Sequence, residues 1–421
     1  MPAKVVMDNL TVQVATDMLL LDQNNLPDNG TVLLASHISI DNLSITLPDC
    51  TLSVEHHEMD NVTSGASLLR NVVGNQEMPD IQAIVSQLGA ERSESRNVLY
   101  SMERSTRRLA IARMLVRDWK GSDMGQCALG SIDLADQTGA SVQIAQLQME
   151  KVHLPDARTL SRIRQMAATD NLEAALPAIS ELLTGGTVPP VQRFSLDNMA
   201  VRVPEGDITL DQFNVLWPSV RPQDFSCEIK TLALPTSAVL TVMEQEELVA
   251  RGANTLTPLF SGIDTLHASA TFGVKAQDAK NSLLHEHITL NIPEWGLLDY
   301  AHLGDYATPS LGSSFRDVRL AYADNGLAAR VAFLFFGKNA EKQLATLLDS
   351  FASPGTAPLI GTLKSFLSHP GNLQITSLPN KKVNESELFL IMANPAAYFD
   401  ISAKPGPKSL DEQCRELTQM Q

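Results

Sequence analysis

The chain of 421 residues is poor in aromatic side chains, in cysteine and in positive charge, and each shortage narrows what it can be. Aromatics make up 5% of it, with five Tyr and three Trp against thirteen Phe and fourteen Met, so apolar surface with few polar aromatic tips is expected. The four cysteines, Cys50, Cys127, Cys227 and Cys414, stand too far apart for a disulfide-stapled mini-fold or a zinc knuckle. Basic residues number 32 against 48 acidic, for a formal net charge of −16. Binding to a phosphate backbone needs clustered Lys and Arg, so no nucleic-acid partner is expected. No apolar run reaches the roughly 18 residues that a spanning helix requires. The sequence also lacks G-x-S-x-G, P-loop, G-x-G-x-x-G, H-E-x-x-H and EF-hand patterns. That argues against the common hydrolases, NTPases and dehydrogenases; a non-enzyme without cofactor or metal is expected.

What the chain does contain is an ordinary apolar fraction, 44%, enough for a packed core, and internal self-similarity. Residues Ile40 to Val54 align without a gap against Leu196 to Leu210, matching Asp41-Asn42 with Asp197-Asn198 and Pro48 with Pro204. Met7 to Val14 repeats the first half. Ile132 to Asp136 followed by Ser141 to Met149 is a looser copy, and Ile288 to Leu298 a partial one. Each copy alternates apolar and polar residues, which puts Leu43, Ile45 and Leu47, or Met199, Val201 and Val203, on one face of a strand. Pro48-Asp49 and Pro204-Glu205-Gly206 then break the ladder before a second alternating strand, so each copy reads as a β-hairpin. The Asp-Asn pair is expected at the strand start, in a local side-chain-to-backbone turn.

Helical patterns lie between the hairpins. Ser64 to Lys120 reads as two short helices and a long one, with Val98, Met102, Leu109, Ala112, Val116 and Trp119 at three- and four-residue steps. Asp156 to Thr184, Ser237 to Arg251, and a pair within Asn339 to Leu367 follow. Leu373 to Ser377 and Leu388 to Met392 read as strands, and Ser409 to Gln421 as a short exposed helix or frayed end. The expected fold class is α+β: an elongated, twisted antiparallel sheet built from repeated hairpins, with amphipathic helices packed on one face. Its expected sections are 1–120 with the basic helical segment, 121–300 with the middle repeats, 301–405 with the C-terminal strands and helix pair, and the polar tail 406–421.

Few residues suggest chemistry. Glu55 to Glu58 and His285 to His287 hold the histidine clusters; two His at i and i+2, such as His285 and His287, share a strand face, but no third metal ligand stands at a recognisable spacing, and a solvated face is expected. Five N-x-S/T sequons, at Asn9, Asn29, Asn42, Asn61 and Asn384, read as strand composition rather than glycosylation. Glu91 to Lys120 carries eight basic residues against four acidic. As a basic amphipathic helix it would either pair with acidic loops of its own chain or touch an anionic membrane through Arg104, Arg107, Arg108, Arg113 and Arg117.

The recurring hairpin from Phe194 to Leu210, the run Phe315 to Leu327, the helix pair after it, and His369 to Pro379 together resemble AsmA-like bacterial envelope proteins with a repeating β-groove. The resemblance is one of pattern over most of the chain. It implies a periplasmic protein that moves or senses lipids along an apolar groove, without a transferable catalytic residue. An alternating pattern that begins at Val5 is expected of a processed form at the periplasmic face of the inner membrane; as written, the chain reads as cytoplasmic. On the residues themselves, a sheet face incompletely covered by helices offers a trough for acyl chains. The candidate lining is Leu43, Ile45, Leu47, Val142, Ile144, Met199, Val201, Val203, Ile208 and Leu210. The expected partners are a lipid or other apolar ligand, an anionic membrane surface, and an envelope protein. The competing expectation is an interaction scaffold whose helices seal that face and whose edge strand recruits a protein.

Overall fold

The computed structural model describes residues 4–15, 30–46, 50–75, 86–102, 108–135, 140–153, 191–217, 224–245, 256–277, 283–305, 314–379, 381, 383–384 and 387–420. The chain divides into two compact units, Met1–Pro204 with Asn214–Pro222, and Glu205–Phe213 with Gln223–Gln421.

The first unit is an antiparallel sheet of repeated hairpins. Its strands are β1 (Lys4–Val6), β2 (Asn9–Val14), β3 (Thr31–Thr46), β4 (Cys50–Gly65), β5 (Leu88–Met102), β6 (Arg108–Lys120), β7 (Asp123–Ala135), β8 (Ser141–His153) and β9 (Arg193–Val203), with α1 (Ala66–Asn75) after β4. From β3 to β9 each strand pairs with the next, while β1 and β2 lie end to end along the other side of β3.

Two rows of residues run across this sheet and interrupt every strand in step. The first takes in Asn42, Glu55, Asn97, Ala112, Ser131, Ala145 and Asn198, opposite one another from β3 to β9. The second takes in Ser36, Asn61, Glu91, Asp118, Gly125 and Lys151. Left-handed backbone alternates between strands: Asn42, Asn97, Ser131 and Asn198 have φ of 50° to 52° in the first row, and Asn61, Asp118 and Lys151 in the second. Asn and Asp tolerate this region better than other L-residues, which accounts for most of these identities. The apolar positions shift at each row. In β6, Leu109, Ile111, Met114, Val116 and Trp119 advance by two and three residues in turn, and the skipped pairs Ala112-Arg113 and Arg117-Asp118 are exposed. Since a one-residue slip turns a strand over, a bulge-like residue at each row restores the apolar side to the same face.

The second unit begins within β10 (Gly206–Leu216) and continues through β11 (Phe225–Pro235), α2 (Thr236–Gln245), α3 (Thr257–Phe260), β12 (Thr265–Ala276), β13 (Leu283–Ile292), β14 (Gly296–Asp305) and β15 (Ser314–Asp324). Then come α4 (Leu327–Phe336), α5 (Ala340–Ser350), α6 (Ala357–Ser368), β16 (Asn372–Ser377), β17 (Val383–Asn384), α7 (Leu388–Ala393), β18 (Phe399–Lys404) and α8 (Leu410–Met420). Strands β11 to β16 pair antiparallel in order, β18 adds to β16, and β17 pairs with the start of β15. Asp324 starts α4: its carboxylate accepts the N–H groups of Gly326 and Ala328 at 2.9 Å each, and Gly326 supplies a φ of 110°.

Both clusters of fully buried apolar side chains among the described residues belong to this unit. Phe260, Ile263 and Leu266 pack with Trp295 and Leu234, and Ala329, Ala332, Ala340, Leu410, Cys414 and Leu417 join α4, α5 and α8. The small Ala side chains let the helices approach closely, so Leu410 and Cys414 are wholly buried.

Several expectations change. The basic helix expected over Glu91 to Lys120 is replaced, among the described residues, by the strands β5 and β6, because the three-residue apolar steps mark bulge rows rather than helical turns. Leu388 to Met392 is the helix α7, not a strand: an apolar run this short has no diagnostic period. The tail does form a helix, yet it is docked rather than exposed, since Leu410, Cys414 and Leu417 share one face at helical spacing. Asp8-Asn9 stands at the start of β2, but Asp41-Asn42 and Asp197-Asn198 lie inside β3 and β9, and the Asn42 amide donates to the Asp8 carboxylate at 2.9 Å. The two helices expected in Asn339 to Leu367 are present as α5 and α6, and Leu373 to Ser377 as β16. Asp156 to Thr184 and the end of Ser237 to Arg251 lie outside the described residues.

The docking of α8 yields a direct check. Leu410→Ala should lower the stability of the second unit by about 2–4 kcal/mol in denaturant titration, whereas a loss below about 0.5 kcal/mol would fit an exposed tail.

Candidate functional site: the apolar face of the first unit

Cross-strand register assembles the apolar positions of the first unit into rows. Leu43, Val54, Val98, Ile111, Ile132, Ile144 and Met199 stand opposite one another from β3 to β9. Two residues further along, Ile45, Leu52, Tyr100, Leu109, Leu134, Val142 and Val201 form the next row on the same face. The alternate positions Ser44, Ser53, Asp133, Gln143 and Arg202 face the other way. Most of the apolar residues are half-buried, and Leu134 is 41% exposed. Beside the first bulge row a hollow of about 550 Å³ is bordered by Ser44, Ser53, Leu99, Arg108 and Ala110 of the alternate positions as well as by Leu43, Val54, Val98 and Ile111, so it does not belong to the apolar rows alone.

Of the residues singled out in the sequence, Leu43, Ile144 and Met199 share the first of these rows and Ile45, Val142 and Val201 the second. Val203 ends β9, Leu47 lies outside the described residues, and Ile208 and Leu210 belong to the second unit. Sequence reasoning missed Val54, Val98, Ile111 and Ile132. The signal was present: Val98 follows Arg96-Asn97 as Leu43 follows Asp41-Asn42 and Met199 follows Asp197-Asn198.

Between the two bulge rows the opposite face carries a belt of ion pairs. His37 and His56 bind Asp60 and Asp41 at 2.7 Å, and Arg92 reaches Glu58 at 2.6 Å and Asp60 at 3.1 Å. At its centre Glu94, 1% exposed, accepts from Arg92, Arg96 and Arg113 at 2.6, 2.9 and 2.9 Å. Arg113, then Arg96 and Arg92, hold the Glu94 carboxyl at about 2 against the opposing effect of burial. Hydrogen bonding to Asp41 raises the proton affinity of His56. Arg113 is therefore committed within the sheet rather than presented by a helix. Arg108 borders the hollow, Arg117 is exposed, and Arg104 and Arg107 lie outside the described residues.

On the apolar face burial, with His56 nearby, lowers the proton affinity of His57, whose Nδ1 lies 2.8 Å from Ser95 Oγ. In the other histidine cluster His287 Nε2 lies 2.9 Å from the Asp299 carboxylate. Among the described residues no group of three or more His, Cys, Asp or Glu could hold a metal ion, and no helix is long and apolar enough to cross a membrane. Comparison with protein-family models, curated proteins and solved structures finds no match for this chain.

The Glu94 cluster sets a pH dependence. A carboxyl depressed from 4.5 to about 2 by folding binds fewer protons in the folded chain, so its stabilisation is full above about pH 4.5 and is lost as pH falls toward 2. Glu94→Gln should cost about 2–4 kcal/mol at pH 7 and flatten that acid limb in denaturant titrations across pH 2–6. An acid limb of unchanged slope would refute the assignment.

Proposed function

We propose that the protein is a non-enzymatic lipid-binding or lipid-transfer protein of the bacterial cell envelope, AsmA-like in kind, that holds acyl chains along the apolar face of its first unit. The observation that carries this reading is an extended lattice of Leu, Ile, Val and Met across β3 to β9, most of which stays half-buried. Each methylene moved from water onto such a face contributes about 0.8 kcal/mol, so one acyl chain supplies several kcal/mol without any charged contact. Unbranched Met114, Met149 and Met199 suit tails of variable shape. In this reading the helices cover the face incompletely, and the periplasmic location follows from the resemblance to AsmA-like proteins. The scaffold reading draws on β2, an edge strand with Leu10 55% and Val12 44% exposed, which offers an apolar ladder for strand addition by a protein partner.

Organic extraction of protein purified without detergent from its own cells, followed by mass spectrometry, tests the lipid reading. A defined lipid at near-stoichiometric amount is expected, and Ile45→Asp or Val201→Asp should abolish loading while circular dichroism stays unchanged. An empty extract from the unaltered chain would overturn the reading in favour of the scaffold.

A further inference from the structure

Between its two bulge rows the apolar face of the first unit is interrupted once. Register places His57 opposite Ser95 and Met59 opposite Ser93 on β4 and β5, and no left-handed residue intervenes within either stretch, so His57, Ser93 and Ser95 share one face. Their neighbours on that face are Ile40 on β3 and Met114 and Val116 on β6. The charged side chains of the same stretch, Asp41, Glu58, Asp60, Arg92, Glu94 and Arg113, are on the opposite face and bound to one another or to the histidines there. Three polar side chains thus stand in an otherwise apolar lattice whose nearest charged neighbour, Glu58, belongs to the ion pairs of the opposite face.

Such an island costs stability unless its groups are hydrogen-bonded. His57 and Ser95 satisfy each other in part, at 2.8 Å, with Ser95 only 3% exposed. Ser93 has no hydrogen-bonded partner for its hydroxyl among the described residues, and His57 keeps a second ring nitrogen beyond the one at Ser95. Kept neutral by burial, the imidazole offers one donor and one acceptor. A hydrocarbon tail alone would leave these groups unpaired. An ionised carboxylate or phosphate would lose its hydration with no countercharge on this face. The group that fits is uncharged and both donates and accepts. A serine beside a histidine also begins a hydrolase site, but β5 is an interior strand whose amides bond β4 and β6, which leaves no pair of N–H groups to stabilise an oxyanion at Ser95.

We propose that His57, Ser93 and Ser95 form a recognition site for an uncharged hydroxyl group in the head of an amphiphile whose acyl chain lies on the surrounding apolar face, an assignment that rests on the lipid reading above. Calorimetric titration of the full chain, stripped of lipid, with monododecanoylglycerol and with dodecanoate at pH 8 tests it. The glycerol ester should bind at least about tenfold more tightly than the ionised acid, the effect of one or two hydrogen bonds. Ser93→Ala, which removes a hydroxyl without a protein partner, and His57→Phe should each bring the two affinities together while dodecanoate binding is unchanged. A preference that persists in both variants, or tighter binding of dodecanoate by the unaltered chain, overturns this inference and leaves the trough standing. Failure of both compounds to bind the unaltered chain overturns this inference and the lipid reading together.

Discussion

The first unit depends on a reversal of side-chain alternation that every strand makes at the same place. A plain strand with the spacing of β6 would place Leu109 and Ile111 on one face and Met114 and Val116 on the other, and neither face could be apolar. Left-handed residues such as Asn42, Asn97 and Asn198 put the reversal into the backbone, and because opposite strands reverse together, pairing continues across the first row in register; beside the second row β3 and β4 shift by one residue between Leu33 and Ala35. Non-glycine residues in this conformation carry a cost of roughly 1–3 kcal/mol each. It is met by continuous ladders on both sides and by amide contacts such as Asn97 to Glu55 and Asn61 to Glu91, each at 2.5 Å.

The two faces then take different work. On one, ion pairs centred on Glu94 tie β3, β4, β5 and β6 together where single surface pairs would add little. On the other, apolar rows gather Leu, Ile, Val and Met into a surface that is only half-buried, with the neutral pair His57 and Ser95 in its midst. The second unit solves the same problem conventionally: Trp295, Phe260 and the α4, α5 and α8 contacts close its apolar surface over compact cores.

Repetition made the hairpins legible. The match of Ile40 to Val54 with Leu196 to Leu210 located β3 and β9 and, in the two apolar rows, Leu43, Ile45, Met199 and Val201, and the break around Ser353 to Pro358 located α5 and α6. Leu88 to Lys120 was illegible because steps of two and three residues average close to a helical period. Only the neighbouring strands, which carry the same break, show that the three-residue steps are bulges. For Leu388 to Met392, composition could not choose between helix and strand. The tail looked solvated because its burial depends on three residues, Leu410, Cys414 and Leu417, whose partner Ala329 lies far off in sequence. In the central part of the site, Val98 and Ile111 were hidden by the same misreading of β5 and β6.

The stepped face can be measured directly by placing single cysteines at each position from Leu109 to Trp119 in a chain whose own four cysteines are replaced by serine, and labelling them with an apolar maleimide and a charged one. The ratio of apolar to charged labelling should peak at 109, 111, 114, 116 and 119, with the change of step at Ala112-Arg113 and Arg117-Asp118. A strict two-residue alternation throughout, or a ratio recurring every three to four residues as on a helix, would contradict the paired bulge rows and the continuous apolar face built on them.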